Sequence, residues 1–214
     1  MKIGVLGSGV VGQVLADGLL KHGHDVMRGT RDPAKLAAWR ASHHGGHAQV
    51  GTFAEAARFG YLVILAVKGS AAVEVVAACG AELDGKAVLD TTNPIADAPP
   101  EDGVLRFFTG PNESLLERLQ ARAPGAHLVK AFSCVGSALM VDPDLPGGPP
   151  TMFICGDDDS ARRQAAELVR QLGWGVEDLG RAAAARAIEP LCMLWCIPGF
   201  RQNRWRHAFR LLTR

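Results

Sequence analysis

The stretch GSGVVG, Gly7 to Gly12, constrains the fold of this chain more than any other part of it. It follows the apolar run KIGVL, which is typical of a buried strand, and it opens a stretch with helical spacing of valines and leucines. In a strand–turn–helix context of this kind, Gly7 makes the tight turn, Gly9 lets a pyrophosphate approach the backbone, and Gly12 lets helix and strand pack closely. The free N–H groups at the helix start then attract the phosphates. The sequence therefore predicts a dinucleotide site at its N-terminus.

Apolar strand-like runs alternate with helical periodicity along most of the remaining chain. Capping signals mark three helix starts, namely Asp32–Pro33, Thr52–Glu55 and Ser114–Glu117. This alternation predicts an α/β fold with a doubly wound, mostly parallel sheet of the Rossmann, NAD(P)-binding type. We expect residues 1–180 to form the dinucleotide-binding domain and 181–214 a small C-terminal helical extension, with one long helix from about Ala182 to Trp195.

Composition excludes several other classes of protein. A formal net charge of +1 gives no basic field for nucleic acid, and the strongly apolar run Tyr61 to Val67 is too short to cross a bilayer. Five scattered cysteines favour a reducing compartment, so we expect a cytoplasmic protein without a membrane partner. Cys192 and Cys196 lie one helical turn apart, but no second pair with zinc spacing follows, so we expect packing and no metal site.

The segment GTRDPAKL predicts which dinucleotide binds. An NAD site usually has an acidic residue at the end of the second strand, where it accepts hydrogen bonds from the adenosine ribose. This chain has Thr30 and Arg31 there, with Lys35 four residues beyond Arg31. A guanidinium pairs a phosphate through charge-assisted hydrogen bonds, so these residues favour the 2′-phosphate of NADP(H). The alternative is that Arg31 and Lys35 are ordinary solvated surface residues.

Six motifs, taken in order, resemble the family of NADPH-dependent deazaflavin (coenzyme F420) reductases. They are KIGVLGSGVVGQVLADGLLKHGHDVMRGTRDP, VILAVKGSA, LDTTNP, VKAFSCVGS, CGDDDSA and ARAIEPLCMLW. The family includes the cytosolic domains of membrane metalloreductases and many bacterial members without an assigned substrate. The resemblance implies NADPH along the ends of the sheet and hydride transfer from C4 of the nicotinamide to C5 of a deazaflavin. Where archaeal reductases carry a histidine, this chain has Ser133, as in the bacterial members.

The resemblance also implies a role for each matching residue. Ser8, Gly9, Val10 and Val11 would surround the pyrophosphate, and Thr30, Arg31 and Lys35 would hold the 2′-phosphate. Ala66 and Val67 would line the adenosine and ribose side, Asn93 and Pro94 would approach the nicotinamide ribose, and the backbone of Gly136 and Ser137 would orient the carboxamide.

No acid–base dyad is obvious in the sequence, and hydride transfer between two stacked rings needs little help of that kind. Lys130, Ser133 and Cys134 are possible catalytic residues. Lys130 could donate a proton, although pairing with an acid in a buried strand is the plainer interpretation. Cys134 could be a redox thiol, and a packed cysteine is its plainer interpretation.

Three functions therefore stay open at this point. The first is an NADPH-dependent oxidoreductase with a deazaflavin, flavin or similar planar acceptor. The second is a reductase of a small carbonyl or imine, in which Lys130 or Ser133 would supply a proton. The third is a non-catalytic NADPH sensor.

The C-terminal region carries two apolar patterns. One is a helical stripe of Ile188, Leu191, Leu194 and Trp195, which in this family often helps to build a homodimer and could wall the second substrate's pocket. The other is an arginine-rich tail, in which Trp205, Phe209 and Leu211 have the spacing of a helix face. We expect this tail to dock on its own subunit or on a partner.

Overall fold

The computed structural model describes residues 1–213 and is built on a sheet of six parallel strands. These strands are β1 (Lys2–Leu6), β2 (Asp25–Gly29), β3 (Ala48–Gly51), β4 (Leu62–Leu65), β5 (Ala87–Asp90) and β6 (His127–Lys130). Their spatial order is β3-β2-β1-β4-β5-β6. This order confirms the predicted Rossmann sheet, and it reverses between β1 and β4, where such sheets place their ligands.

A second, smaller sheet extends the first. Strands β7 (Thr151–Ile154) and β8 (Gly175–Asp178) pair in parallel. A single antiparallel bridge between Lys130 and Cys155 links them to β6. The sheet as a whole is therefore mostly parallel, as the sequence predicts.

Helices cover both faces of the large sheet. They are α1 (Val10–Lys21), α2 (Ala37–Ala41), α3 (Phe53–Phe59), α4 (Gly69–Cys79), α5 (Leu115–Arg122), α6 (Asp159–Gln171), α7 (Ala185–Ile188) and α8 (Leu191–Gln202). Alternate residues of each strand enter two separate cores, so Ile3 and Val5 pack with α1 and α6 while Leu6 packs with α3 and α4. The sheet is consequently buried on both faces, as a parallel sheet requires.

The three predicted capping signals are confirmed. The side chain of Asp32 accepts a hydrogen bond from the Ala34 amide at 3.1 Å, and a 3₁₀ turn (Pro33–Leu36) follows before α2. Complete capping boxes start α3 at Thr52–Glu55 and α5 at Ser114–Glu117. These local signals predict helix starts well because a cap satisfies backbone donors with a side chain only a few residues away.

The prediction of one helix from Ala182 to Trp195 is wrong. A 3₁₀ turn (Ala182–Ala184) leads into the single turn of α7, and α8 starts after Pro190 and runs on to Gln202. Pro190 has no amide hydrogen and cannot continue the hydrogen-bond ladder, so the helix breaks there. The helical stripe is divided as a result, with Ile188 and Trp195 buried and Leu194 exposed.

The tail after α8 is not a helix, so the predicted helix face of Trp205, Phe209 and Leu211 is also wrong. Asn203 adopts a left-handed conformation that ends α8, and the following chain runs beside β7. There the Thr151 amide donates to the Phe209 carbonyl at 2.9 Å. The ring of Trp205 packs on Gly199 and lies 5.6 Å from that of Trp195. The tail thus docks on its own chain, in extended form, because these contacts outweigh its helical periodicity.

Within residues 1–213, no helix combines the length and the apolar character that a bilayer crossing demands.

Candidate functional site

A cleft of about 1060 Å³ opens at the carboxyl ends of β1, β2, β4 and β5, where the strand order reverses. Segments that directly follow these four strands line it, and they include most of the residues that the sequence points to. Those residues are Ser8, Gly9, Val10, Val11, Thr30, Arg31, Lys35, Ala66, Val67 and Asn93. Sequence reasoning missed the start of α4 and its flank, which contribute Lys68, Ser70, Ala71 and Glu74. Their place directly after the β4 strand was the available signal.

The glycine turn has the geometry that its motif predicts. A Cβ on Gly7, whose φ is +155°, would lie 2.1 Å from the Ala66 carbonyl oxygen, and one on Gly12 would lie 2.6 Å from the Gly7 carbonyl oxygen. Both positions therefore exclude any side chain. At Gly9, by contrast, a Cβ would meet nothing within 4 Å, and no side chain caps α1. The free amides at the start of α1 and the open space before them fit a phosphate group.

A buried arginine beneath this turn escaped the sequence reasoning. Arg28 on β2 is 1% exposed, and its Nη2 donates to the carbonyl oxygens of Gly7 and Gly9, each at 3.3 Å. Its guanidinium carbon lies 4.9 Å from the centre of the Trp39 ring. Burial lowers the pKa of Arg28, and the nearby Asp17 carboxylate opposes that shift. The available signal was strand alternation, which places Arg28 on the same face of β2 as the buried Val26.

The far end of β2 carries the residues predicted for the 2′-phosphate. Thr30 is buried, whereas Arg31 and Lys35 are exposed, and all three line the cleft. Asp32 is the helix cap described above, so its carboxylate accepts a hydrogen bond from the backbone amide of Ala34. Two cations and a hydroxyl at the end of this strand fit an anion there better than a ribose diol.

The opposite end of the cleft is formed by the segment after β5. Asn93 Nδ2 donates to the Ser133 carbonyl oxygen at 2.7 Å, which fixes the amide in place. Asn93 Oδ1 and Ser133 Oγ are both buried without a hydrogen-bond partner among the described residues. Just before Ser133, Phe132 adopts a left-handed backbone (φ +58°), a conformation that costs an ordinary residue about 1–3 kcal/mol. Strain and unpartnered polar atoms together are typical of a ligand site.

Comparison with known proteins decides the family. Residues 2–94 match the family model described as NADP oxidoreductase, coenzyme F420-dependent. A protein from Arthrobacter sp. FB24, proposed to be an F420-dependent NADP reductase, is 33% identical and covers 100% of both chains with a TM-score of 0.91. This chain belongs to the family of coenzyme F420-dependent NADP oxidoreductases.

More distant relatives are similar over part of their own length. Metalloreductase STEAP3 of Rattus norvegicus is 32% identical over 202 residues, which are 92% of this chain. The chain spans little more than a third of the curated relatives it matches, 38% and 35%. A reductive aminase from Aspergillus terreus, solved with NADPH and ethyl levulinate, shares the fold at 21% identity and a TM-score of 0.66, over 93% of this chain and 61% of its own.

In this member of the F420-dependent family, Lys130 is locked in a buried ion network. Its side chain is 0% exposed, and Nζ donates to Asp90 Oδ2 at 2.5 Å and to the Thr92 carbonyl oxygen at 2.9 Å. Glu189 Oε1 lies 2.8 Å away. Burial by itself would lower the pKa of Lys130, but the two carboxylates outweigh it and raise the pKa overall. Lys130 does not line the cleft, and its two carboxylate partners agree with the interpretation that it pairs with an acid.

Glu189 connects this network to the N-terminus of α5. Its two carboxylate oxygens accept hydrogen bonds from the Leu115 and Leu116 amides, at 2.9 and 3.0 Å. These amides are the otherwise unpaired donors of a helix start, and a carboxylate satisfies them well. The network therefore joins β5, β6, α5 and the segment between α7 and α8.

The cysteines of the described chain are all buried and unbridged. Burial raises the pKa of Cys134 to about 12, which disfavours a reactive thiolate and agrees with the interpretation of a packed cysteine. A hydrogen bond between the Cys192 and Cys196 thiols raises the pKa of Cys192, with burial as the next cause, and lowers that of Cys196. Both pack in a small core with Leu105 and Trp195, in agreement with the packing interpretation.

Four further predicted site residues, Pro94, Ser133, Gly136 and Ser137, lie outside the residues that line the cleft. Gly136 packs against α8, because a Cβ there would lie 2.6 Å from the Trp195 ring. Ser137 opens a 3₁₀ turn (Ser137–Leu139). Of the described residues, no group of three or more His, Cys, Asp and Glu has an arrangement that could hold a metal ion.

Replacing Lys130 by Met should lower the free energy of unfolding by roughly 3–5 kcal/mol, because two carboxylates would lose their buried counter-ion. Urea denaturation followed by tryptophan fluorescence measures this loss. The double variant Lys130→Met with Glu189→Gln should recover part of it, since one buried charge is then removed. If the single and double variants are equally unstable, the network is not held by charge.

Proposed function

We propose that this chain is an NADPH-dependent oxidoreductase that passes hydride between NADP(H) and a planar acceptor of the deazaflavin or flavin class. The observation that carries the proposal is the cleft at the strand-order reversal, with a glycine turn at its centre and Thr30, Arg31 and Lys35 at one end. Its membership of an NADP oxidoreductase family supports the same conclusion. The substrate is a small molecule, and neither nucleic acid nor a membrane is part of the proposal.

The dinucleotide has a consistent place along this cleft. The pyrophosphate lies over Ser8, Gly9, Val10 and Val11, the 2′-phosphate is held by Thr30, Arg31 and Lys35, and Ala66 and Val67 line the adenosine and ribose side. At the other end Asn93 approaches the nicotinamide ribose. Pro94, Gly136 and Ser137 lie outside the residues that line the cleft, and the family resemblance alone assigns Pro94 to the same ribose and the backbone of Gly136 and Ser137 to the carboxamide. The unpartnered Oδ1 of Asn93 supports this direction, because it is a fixed acceptor for a ribose hydroxyl.

Hydride transfer between rings fits this cleft because such a reaction needs no proton from a side chain. Lys130 is held by two carboxylates and the thiol of Cys134 is buried and protonated. All the titratable side chains that line the cleft are exposed, and they are Arg31, Asp32, Lys35, Lys68, Glu74 and Asp97. None of them has the buried setting that tunes a catalytic acid or base. When bound, the nicotinamide supplies the hydride and the protein's task is to align the two rings.

Ser133 is the residue that supports the second candidate function, the reduction of a small carbonyl or imine. Ser133 does not line the cleft, but its carbonyl oxygen holds the amide of Asn93, which does, and its buried hydroxyl has no hydrogen-bond partner among the described residues. It is therefore the candidate proton donor for a carbonyl or imine reduction. A non-catalytic NADPH sensor would use the same cleft and bind without turnover.

Arg31→Ala should weaken NADPH binding by roughly 10- to 100-fold, because it removes charge-assisted hydrogen bonds to the 2′-phosphate. Affinity for NADH should change by less than about threefold, since NADH has no such phosphate. Fluorescence titration of both nucleotides measures the two effects. Arg58→Ala is the matched control, because Arg58 is an exposed arginine paired with Glu82 away from the cleft. Equal losses for NADPH and NADH would refute the assignment of Arg31.

Turnover with a panel of acceptors separates the three functions. We expect loss of NADPH absorbance with a deazaflavin or a free flavin, and Ser133→Ala should keep at least about half of that rate because no side-chain proton is needed. Turnover with ketones or imines alone, abolished in Ser133→Ala, would establish the second activity instead. Tight NADPH binding without turnover of any acceptor would establish the sensor.

A homodimer in the cytoplasm completes the proposal. The unbridged state of all five cysteines supports a reducing compartment. Exposed apolar side chains on α8, Leu194 at 55% and Phe200 at 47%, support a subunit interface there.

Light scattering coupled to gel filtration should find a dimer, and Leu194→Asp should shift it to a monomer by placing a charge in the interface. Tyr61→Asp is the matched control, because Tyr61 is 64% exposed at the start of β4. A wild-type monomer, or a dimer that Leu194→Asp leaves intact, would contradict this interface.

A further inference from the structure

Arg28 occupies a position in β2 where a parallel sheet normally places an apolar side chain. It lies opposite Val5 of β1 in the strand register and on the same face as Val26. Only 1% of the residue is exposed. A guanidinium stays protonated under all ordinary conditions, so a full positive charge is held inside the fold at this point.

No carboxylate of residues 1–213 pairs with this charge. The ion pairs among the described residues do not include Arg28. Asp17, which is near it, accepts a hydrogen bond from Trp39 Nε1 at 2.6 Å, and Arg28 Nε has no hydrogen-bond partner in the described part of the chain. The remaining contacts are the Trp39 ring and the two carbonyl oxygens of the glycine turn. Because buried charges are normally paired, a buried guanidinium without a carboxylate partner favours the binding of an anion close to it.

The two carbonyl contacts determine where the turn directs its amides. The peptide bonds within residues 1–213 are all trans, and in a trans peptide the C=O and the N–H point in opposite directions. The carbonyls of Gly7 and Gly9 point at Arg28, so the N–H groups of the same two peptides, which belong to Ser8 and Val10, point away from it. Ser8 and Val10 both line the cleft. Arg28 therefore holds two donors toward the place of the pyrophosphate from the opposite side of the backbone.

We propose that Arg28 is a positioning residue for the dinucleotide pyrophosphate: it orients the Ser8 and Val10 amides, and the bound diphosphate is the counter-ion of its buried charge. This rests on the proposed dinucleotide binding. Arg28 does not touch the ligand, since the peptides of the turn separate them. Its field still acts on the diphosphate because a buried charge is weakly screened by solvent and salt.

The test compares two probes that share the 2′-phosphate but differ in the pyrophosphate, namely NADP⁺ and adenosine 2′-monophosphate. Calorimetric titration of Arg28→Gln should show roughly tenfold or greater loss of affinity for NADP⁺ and less than about threefold for adenosine 2′-monophosphate. Arg28→Lys, which keeps the charge, should lose less NADP⁺ affinity than Arg28→Gln. Arg31→Ala is the matched comparison and should weaken both probes.

Two results of these titrations would overturn the role proposed for Arg28. Equal loss of the two probes in Arg28→Gln would mean that Arg28 only maintains the fold, and unchanged NADP⁺ affinity would mean that it plays no part in binding. Either result overturns the proposal. If a thermal melt shows that Arg28→Gln does not fold, the same two titrations are made with Arg28→Lys. A loss of affinity for NADP⁺ that exceeds the loss for adenosine 2′-monophosphate supports the proposal, and an equal loss of affinity for both refutes it. A wild-type protein that binds neither probe would refute the proposed function itself, which separates the two failures.

Discussion

The close contact between the glycine turn and the end of β4 is the constraint on which the rest of the site depends. With the Gly7 backbone against the Ala66 carbonyl, no side chain larger than hydrogen fits between them. This contact keeps the start of α1 beside the carboxyl edge of the sheet and leaves its amides unpaired by protein. A phosphate then meets both the free donors and the positive end of the helix dipole. The cation-rich end of β2 and the fixed amide of Asn93 lie on either side of this point along one cleft.

Local signals in the sequence predicted much of this arrangement. The alternation of strands and helices, the three caps and most of the cleft lining follow from patterns that span a few residues, because glycine turns and caps are satisfied within one turn of chain. Arg31 and Lys35 could be placed for the same reason, since they follow β2 directly.

Contacts between distant segments could not be predicted in this way. Arg28 looked like an ordinary strand residue, and Lys130 was expected to pair with an acid that the sequence could not identify. Only the fold brings Gly9 to Arg28 and Glu189 to Lys130. Pro190 is a helix-breaking residue that the sequence shows, but the apolar periodicity on both sides of it favoured one long helix. The extended tail follows from aromatic packing of Trp205 on Gly199, which no periodicity predicts.

The Glu189 carboxylate has a consequence for the architecture of the chain as a whole. It completes the charge around Lys130 in the central sheet and at the same time closes the start of α5, although it belongs to the C-terminal extension. In a nucleotide-binding core that ended before Glu189, Lys130 would lose one of its two carboxylate partners. The first amides of α5 would lose their hydrogen-bond acceptor. We therefore expect the extension to be an inseparable structural member of the sheet, which melts together with it and cannot be exchanged like an independent module.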